Sequence, residues 1–345
     1  MAYTTIPKST DYFNTKLYTG NYSTNAITGV GFQPDLTWIK TRTTAGEDHY
    51  LFDVIRGATN YMHSNTVAAQ GTNSATLTAF GSDGFTVGAN NSVNKSGEPL
   101  VSWNWKANGA SVSNTAGSIN STVSVNTTSG FSIVQYTGNA SQSQTVGHGL
   151  GVAPKLIIFK SSTSADDWSI CCPSVLGVDG RLTLNTTAAN SIGDNTFWNS
   201  TAPSSTLFSI GNNPRANASG QTIIAYCFAE IPGFSKMGSY EGNGNANGIF
   251  QHLGFKPAWV LIKNTTATEA YFLYDNKRGY NGSMAALFPD EAAADAFANN
   301  IDFLSNGFKI RTAGAILNGN TTKYIYMAFA SEPLVSTNGN AATAR

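Results

Sequence analysis

Histidines and clustered carboxylates are the side chains in this 345-residue sequence whose types could support catalysis or metal binding. No two histidines lie four residues apart or in a His-x-Glu context, the spacings typical of zinc sites. Two of them each precede a Gly-x-x-Pro phrase. Hydrogen bonding within the loop explains this position about as well as a catalytic or metal-binding role does. The sequence therefore predicts no metal site, no cofactor and no catalytic histidine. The four histidines are His49, His63, His148 and His252.

Two groups of carboxylates are close enough in sequence to suggest hydrolysis of a polysaccharide. Such an enzyme needs paired carboxyl groups about 5 to 10 Å apart. The first group shows no clean strand alternation and is not repeated elsewhere in the chain. The second lies in a predicted short helix, where capping accounts for it. The groups are Glu47, Asp48 and Asp53, and Asp290, Glu291 and Asp295.

Aromatic residues in turns and at strand ends offer a different chemistry. An aromatic face beside polar loops presents a flat apolar area on which a sugar ring can stack. A nucleophile elbow, a Walker motif and a dinucleotide-binding fingerprint are all absent from the sequence. Contact with a glycan is thus the binding chemistry that the residues best support. The four candidate residues are Tyr22, Tyr61, Trp198 and Tyr280.

The composition excludes several classes of partner. Charged residues form 12 % of the chain and the formal net charge is zero, so there is no excess of basic residues to neutralise nucleic-acid phosphates. The sequence contains no apolar run of 18 residues and its start lacks the blocks of a secretory signal, which predicts assembly in a cytosol without membrane insertion. The three cysteines form neither a disulfide framework nor a zinc pattern.

The elements that must position these residues occur three times. The phrase "GFQPDLTWIK" at residues 31–40 returns as "GVAPKLIIFK" at 151–160 and "GFKPAWVLIK" at 254–263. Each copy continues through an aromatic strand, a short helical turn, an apolar strand or hairpin and a closing alternating strand. This pattern predicts an all-β protein of three tandem antiparallel β-sandwich domains, of jelly-roll type. The predicted domains are 1–107, which includes an N-terminal arm, 108–230 and 231–345.

Several details of each copy follow from the same pattern. A Gly-Asn pair ends the first strand in a turn, and the proline of each phrase should lie just before a strand. The phrase-ending Lys40, Lys160 and Lys263 are predicted to face water. In the third copy, residues 288–298 are predicted to form a helix, and the tract at 107–129 is predicted to be flexible or weakly stranded. The predicted core residues are Phe32, Trp38, Phe85, Trp103, Leu156, Phe159, Phe228, Trp259, Ile262, Phe308 and Phe329.

The joined phrases "YTGN…GFQPDLTWIK…FGSDGFTVG…SWNWKA", "NASGQTIIAYCFAEIPGFSKMGSY" and "IDFLSNGFKI…TKYIYMAFASEP" resemble the tandem concanavalin-like β-sandwich repeats of marine bacteriophage virion proteins. The resemblance implies a non-enzymatic virion protein of the tail-fibre or tail-appendage kind, assembled in the host cytoplasm, whose loops contact host surface carbohydrate. The alternatives are a capsid decoration protein and a polysaccharide depolymerase acting through Asp53 or Glu47.

The N-terminal segment is predicted to attach the protein to other virion proteins. It precedes the first repeat and has too little apolar content to fold alone, so we expect it to become ordered on a partner. The neutral polar surface favours lateral packing of chains, and analogy with phage appendages favours a homotrimer. The predicted anchor residues are Tyr3, Ile6, Pro7, Tyr12 and Phe13.

Overall fold

The computed structural model describes residues 4–333, and this part of the chain folds mainly into antiparallel β-strands, so the predicted all-β sandwich fold is confirmed. Each α-helix within it is a single turn of four residues. The segments that carry the three repeats are named unit 1 (up to residue 107), unit 2 (108–230) and unit 3 (from 231).

Unit 1 contains nine strands, after a 3-10 turn at Ser9–Asp11. Its elements are β1 (Phe13–Thr19), β2 (Asn25–Thr28), β3 (Leu36–Thr41), β4 (Tyr50–Asp53), β5 (Asn60–Tyr61), β6 (Gly71–Thr72), β7 (Leu77–Gly81), β8 (Gly84–Val87), α1 (Asn91–Asn94) and β9 (Pro99–Trp105).

Unit 2 adds two strands from the tract that joins it to unit 1. Its elements are β10 (Val112–Asn114), β11 (Ser121–Asn126), β12 (Phe131–Thr137), β13 (Gln144–Gly147), β14 (Leu156–Ser161), β15 (Ser169–Cys171), α2 (Pro173–Leu176), β16 (Leu182–Thr183), α3 (Asn195–Trp198), β17 (Leu207–Ile210), α4 (Pro214–Asn217) and β18 (Thr222–Phe228).

Unit 3 has the longest strands. Its elements are β19 (Ser235–Glu241), β20 (Phe250–His252), β21 (Phe255–Asn264), β22 (Phe272–Asp275), β23 (Met284–Leu287), β24 (Ala296–Ala298), β25 (Ile301–Leu304), β26 (Gly307–Ile310), α5 (Ala315–Asn318) and β27 (Lys323–Pro333).

The main sheets of the three units share one strand order. It is β1-β9-β3-β4 in unit 1, β12-β18-β14-β15 within the larger sheet of unit 2, and β19-β27-β21-β22 within that of unit 3. In each unit the closing strand lies between the opening strand and the strand of the Gly-x-x-Pro phrase. A smaller sheet accompanies each main sheet, and the two predicted hairpins, β7–β8 and β25–β26, are present. The repeated sequence therefore encodes a repeated topology.

The two faces of the main sheets bury different cores because successive strand residues point to opposite faces. In β18, Ile224, Tyr226 and Phe228 belong to one large hydrophobic cluster that contains residues of all three units. Their neighbours Ile223 and Cys227 belong to a separate cluster within unit 2. The inward faces of the three sheets thus form one shared central core.

Three equivalent aromatic side chains meet at the centre of this core. Trp105, Phe228 and Phe329 each lie near the end of a closing strand. Their ring centroids are 5.7 to 6.4 Å apart in all three pairings. The units are therefore arranged around a common pseudo-threefold axis.

All the predicted core residues are at most 3 % exposed, so their predicted burial is confirmed, although Phe32 lies in the loop before β3 and not on a strand. The polar tract at 107–129, predicted to be flexible or weakly stranded, forms strands. Its β10 and β11 extend the sheet beside β12. Pro34 and Pro154 precede strands as predicted. Pro257 instead lies within β21, at a shift in its pairing with β27.

Backbone hydrogen bonds join each unit to the next and join unit 3 back to unit 1. Two backbone hydrogen bonds connect each pair of neighbouring units. In every case they join the loop after the aromatic strand of one unit to the end of the Gly-x-x-Pro phrase strand of the other. The ring of units is consequently closed without a free end. The bonds are Gln70 N to Ser162 O and Asp166 N to Val67 O, Asn190 N to Thr265 O and Glu269 N to Thr187 O, and Gly46 N to Ala292 O and Asp295 N to Arg42 O.

The loop at 288–298 is not a helix, which makes that prediction wrong. Residues 288–295 are irregular and 296–298 form β24. The Asp290 carboxylate, predicted to cap a helix, accepts a hydrogen bond from the Tyr271 backbone N–H at 3.1 Å. Backbone groups of this loop form hydrogen bonds with unit 1, whereas in a helix they would have bonded to one another.

The phrase-ending lysines do not face water, so that prediction is also wrong. Lys40, Lys160 and Lys263 are at most 1 % exposed. The Lys160 Nζ donates to Val67 O of unit 1 at 3.2 Å, and the Lys263 Nζ donates to Thr187 O of unit 2 at 3.1 Å. Two of the three ammonium groups therefore bind backbone carbonyls of the neighbouring unit.

Alkaline pH is expected to stabilise the protein through these lysines. Burial lowers the pKa of each to about 8 from 10.5. The unfolded chain then binds more protons between pH 8 and 10.5, so the free energy of unfolding should rise with pH in this window. We expect a gain of about 1–2 kcal/mol per lysine between pH 7 and 9.5.

Urea denaturation at several pH values measures this gain. The Lys160→Met variant should show a smaller rise than wild type, because one of three equivalent lysines is removed. The window stops below pH 10 because burial raises the pKa of several tyrosines, including Tyr18 and Tyr136, and their ionisation in the unfolded chain opposes folding. A flat or falling profile from pH 7 to 9.5 would contradict the assignment.

The repeated Gly-Asn turn is explained by a buried asparagine at the end of a short helix. Asn94, Asn217 and Asn318 are fully buried, and each side-chain oxygen accepts a hydrogen bond from the backbone N–H of the turn asparagine. A side chain at the turn glycine Gly20 would lie 2.1 Å from Lys95 O. Glycine is required there because the helix backbone passes too close for a Cβ.

Candidate functional site

The candidate catalytic carboxylate Asp53 is a structural group at the boundary of units 1 and 2. It is fully buried, and its Oδ2 accepts hydrogen bonds from Arg56 Nε at 2.5 Å and from the Tyr226 hydroxyl at 2.7 Å. A polysaccharide cannot reach this carboxylate. Glu47 is only partly exposed, so it shares no substrate-accessible surface with the enclosed Asp53.

The same arrangement recurs between units 3 and 1. Asp275 Oδ2 accepts from Arg278 Nε at 2.5 Å and from the indole nitrogen of Trp103 at 2.9 Å. Arg278 also contacts Asp295, which in turn accepts from Arg42 Nε at 2.8 Å. The Asp-x-x-Arg spacing shared by the first and third copies was the sequence signal for these buried ion pairs.

Between units 2 and 3 the ion pair is replaced by apolar residues. Cys172 occupies the position of the aspartate, and Met327 that of Trp103 and Tyr226. Both belong to the central hydrophobic cluster, together with Leu176. Burial raises the pKa of the Cys172 thiol to about 11, which keeps it protonated and unreactive at neutral pH. The Cys-Cys-Pro sequence of the second copy is thus a packing feature.

Two of the four histidines, His49 and His148, are buried in structural surroundings. His49 is fully buried, accepts from the Trp38 indole at 2.9 Å, and lies 3.0 Å from Phe288 O through Nε2. His148 is also buried and bonds the Ser204 carbonyl and the Leu150 backbone N–H. Burial lowers the pKa of both. Across residues 4–333, no group of three side chains could hold a metal ion.

The second carboxylate group is likewise divided between structural roles. Asp295 belongs to the buried ion pairs described above. Asp290 is mostly buried, and burial raises its pKa to about 6. Its bond to Tyr271 N fixes the start of the aromatic strand of unit 3. Asn65 and Asn185 make the equivalent bonds to His49 and Trp168 in the other units.

The four aromatic candidates for glycan contact lie apart from one another and differ in exposure. Trp198 is only 2 % exposed, and its indole donates to Gly180 O, so this candidate is excluded. Tyr61 is half-buried against Tyr50 and His63. Tyr22 is 49 % exposed and Tyr280 is 73 % exposed. The last two are the candidates whose rings a ligand can reach most readily.

Tyr280 lies at an open depression of about 390 Å³ on the surface of unit 3. This volume is within the range of small-molecule sites. Met284 and Phe303 give the depression an apolar part, and Asn276 gives it polar character. An exposed aromatic ring, apolar surface and amide groups are together the features of a carbohydrate-contact surface. The lining residues are Lys256, Asn276, Gly279, Tyr280, Asn281, Met284 and Phe303.

The turn that carries Tyr280 is held rigidly. Tyr280 and Ser283 exchange backbone hydrogen bonds, and Gly282 between them has a φ of +95°. The Asn281 side chain both donates to Phe303 O at 3.0 Å and accepts from Phe303 N at 2.8 Å. Two bonds from one amide fix the turn to β25. The backbone that carries the exposed ring is therefore fixed, which lowers the entropy that binding must overcome.

The proposed anchor segment is part of the folded molecule. Ile6 is fully buried in the central cluster, and the Phe13 ring stacks on Phe329 at 5.0 Å. Tyr12 packs against Phe234. The structure therefore contradicts a free anchor at Ile6 and Phe13, because these apolar side chains complete the core. Pro7 is exposed, and Tyr3 lies outside the described residues.

The fold is that of an all-β protein with three sandwich-like units around a shared core. A family model described as a domain of unknown function (DUF7483) matches residues 8–333, and the chain belongs to this family. One model spans all three units, in agreement with their shared core. No curated protein matches the chain. No helix within residues 4–333 has the length and apolar character needed to span a membrane.

Proposed function

We propose that this protein is a non-enzymatic structural component of a bacteriophage virion, of the tail-fibre or tail-appendage kind, that contacts host surface glycan through the Tyr280 depression. The observation that carries the proposal is an exposed tyrosine fixed on a rigid turn beside apolar and amide groups. The closed ring of units supports it, because such a ring holds surface loops in a constant geometry. The proposed location is the virion, assembled in the host cytoplasm with other virion proteins.

Replacement of Tyr280 by alanine is expected to weaken glycan binding by about tenfold or more, because stacking on the ring is lost. The wild-type protein would first be applied to an array of bacterial surface glycans. Affinity for the best glycan would then be measured by calorimetry for both proteins.

The matched control is Tyr22→Ala, which removes another exposed tyrosine that does not line the depression. It should leave glycan affinity and the folded structure unchanged. Equal binding by the Tyr280→Ala variant, or a loss caused by Tyr22→Ala alone, would place the contact elsewhere.

A capsid decoration protein is the second candidate. The pseudo-threefold arrangement of units favours it, since one chain presents three similar elements around an axis and so matches a threefold position in a lattice. Antibody labelling of intact particles distinguishes the two positions, because labelling over the whole head supports decoration and labelling of the tail supports the appendage.

The homotrimer stays a proposal based on analogy. One chain already supplies three similar units around an axis, so three chains are not needed to form that arrangement. The native mass at micromolar concentration decides between a monomer and a trimer.

A further inference from the structure

We infer that His49 is an acid-sensitive latch in the ring of units, and that protonation of its imidazole releases the 288–295 loop of unit 3 from unit 1. This inference is independent of the proposed glycan contact. It rests on the hydrogen-bond partners of the buried imidazole and on its position between the last and the first unit of the chain.

The partners of the two ring nitrogens fix one neutral tautomer of His49. An indole N–H can only donate, so Trp38 Nε1, 2.9 Å from Nδ1, requires an unprotonated Nδ1. A carbonyl can only accept, so Phe288 O, 3.0 Å from Nε2, requires the proton on Nε2. A second proton on Nδ1 would set two donors against each other in a site that is 0 % exposed. Protonation therefore costs the closed structure a buried hydrogen bond.

The charged groups around His49 also oppose its protonation. Lys40 faces the ring from β3, Arg278 faces it from unit 3, and His63 adds to their effect when it is protonated. Burial, reinforced by Lys40, lowers the pKa of His49 well below its ordinary value. Within residues 4–333 no carboxylate bonds to the ring. The carboxylates on the elements packed against it are Glu47, Asp48, Asp275, Asp290, Glu291 and Asp295.

The bond from His49 lies among the contacts that hold the 288–295 loop on unit 1. Neighbouring hydrogen bonds run from Ser64 Oγ to Pro289 O at 2.7 Å and from Gly46 N to Ala292 O at 2.8 Å. The loop belongs to the last unit and these donors belong to the first. Loss of the imidazole bond thus weakens the contact that closes the ring.

The equivalent position at the boundary of units 1 and 2 cannot respond to acid. It is held by Trp168, whose indole donates to His63 O at 2.7 Å. Asn65 and Asn185 bond to the backbone N–H of His49 and Trp168, respectively, which marks the two positions as equivalent. An indole gains no proton between pH 5 and 8, so acid should act on the boundary of units 3 and 1 alone.

Opening returns the imidazole to water, where its pKa is about 6.5. The open form then binds a proton that the closed form does not, so the equilibrium constant for opening should rise about 30-fold between pH 7.5 and 5. Asp290 acts in the opposite direction. Burial raises its pKa to about 6, so the folded protein binds the extra proton and acid favours closure there. A comparison that keeps Asp290 in both proteins isolates His49.

Amide hydrogen exchange, corrected for the intrinsic effect of pH, measures opening at each boundary. The Gly46 and Asp295 amides report on units 3 and 1, and the Gln70 and Asp166 amides report on units 1 and 2. In wild type the first pair should lose about 30-fold in protection between pH 7.5 and 5, and the second pair should change much less. His49→Gln keeps one acceptor and one donor but takes up no proton, so it should remove this loss.

Each outcome decides the inference. If both boundaries respond equally to acid, opening is global and the latch is overturned. If His49→Gln keeps the wild-type response, another group carries it and the assignment to His49 is wrong. Nitrogen NMR of the wild-type imidazole needs no variant. We expect Nδ1 to stay unprotonated in the closed protein at pH 5, and titration of the closed form near pH 6.5 would also overturn the latch.

Discussion

Unit 1 expressed alone, as residues 1–107, is expected to lack a stable cooperative fold. In the full chain its Trp38, Trp103 and Trp105 are buried in the core shared with the other units. Excision would expose these indoles together with the Asp53 and Arg56 side chains. Burial of a large apolar side chain stabilises by roughly 1.5–3 kcal/mol, so the loss of several is comparable with a total stability of about 5–15 kcal/mol.

Near-ultraviolet circular dichroism and urea denaturation of the excised unit measure this effect. The full chain should unfold in one cooperative transition, and the fragment should show none. A reversible transition of the fragment, with a midpoint close to that of the full chain, would show instead that each unit is an independent domain.

Replacement of Arg56 by methionine is expected to lower the free energy of unfolding by about 3–5 kcal/mol, because it leaves the Asp53 carboxylate buried without its cation. Arg56 and Asp53 are essentially inaccessible to water, so solvent cannot compensate for the lost partner. Urea denaturation of the purified variant measures the change. The matched control is Arg215→Met, whose partly exposed pairs with Asp166 and Asp167 should contribute less than about 1 kcal/mol.

The boundary between units 2 and 3 supplies a way to recover the loss. That boundary is apolar, with Cys172 and Met327 at the corresponding strand positions and Leu176 in the same cluster. The triple variant Asp53→Cys, Arg56→Leu and Tyr226→Met copies it, and should regain most of the stability lost in Arg56→Met, because replacing all the buried polar partners removes the uncompensated charge. If Arg56→Met is as stable as wild type, the ion pair has no net structural role.

The glycan candidates show the limit of sequence interpretation at the site. Tyr280 and Trp198 were selected by the same criterion, an aromatic residue next to polar turn residues. The structure exposes the first and buries the second, because α3 packs its tryptophan against Phe159.

The sequence by itself determined the three repeats, their shared strand topology and the inward residues of the strands. These features depend on local patterns, namely a period of two along each strand and glycine or asparagine where the backbone must turn. The tertiary structure alone decided that the units share one core and close into a ring. The bonds that do this join atoms distant in sequence, such as Lys160 Nζ to Val67 O and the Tyr226 hydroxyl to Asp53. A lysine at a strand end is usually solvated. Here its burial is possible because carbonyls of its own loop and, for Lys160 and Lys263, of the neighbouring unit accept its hydrogen bonds.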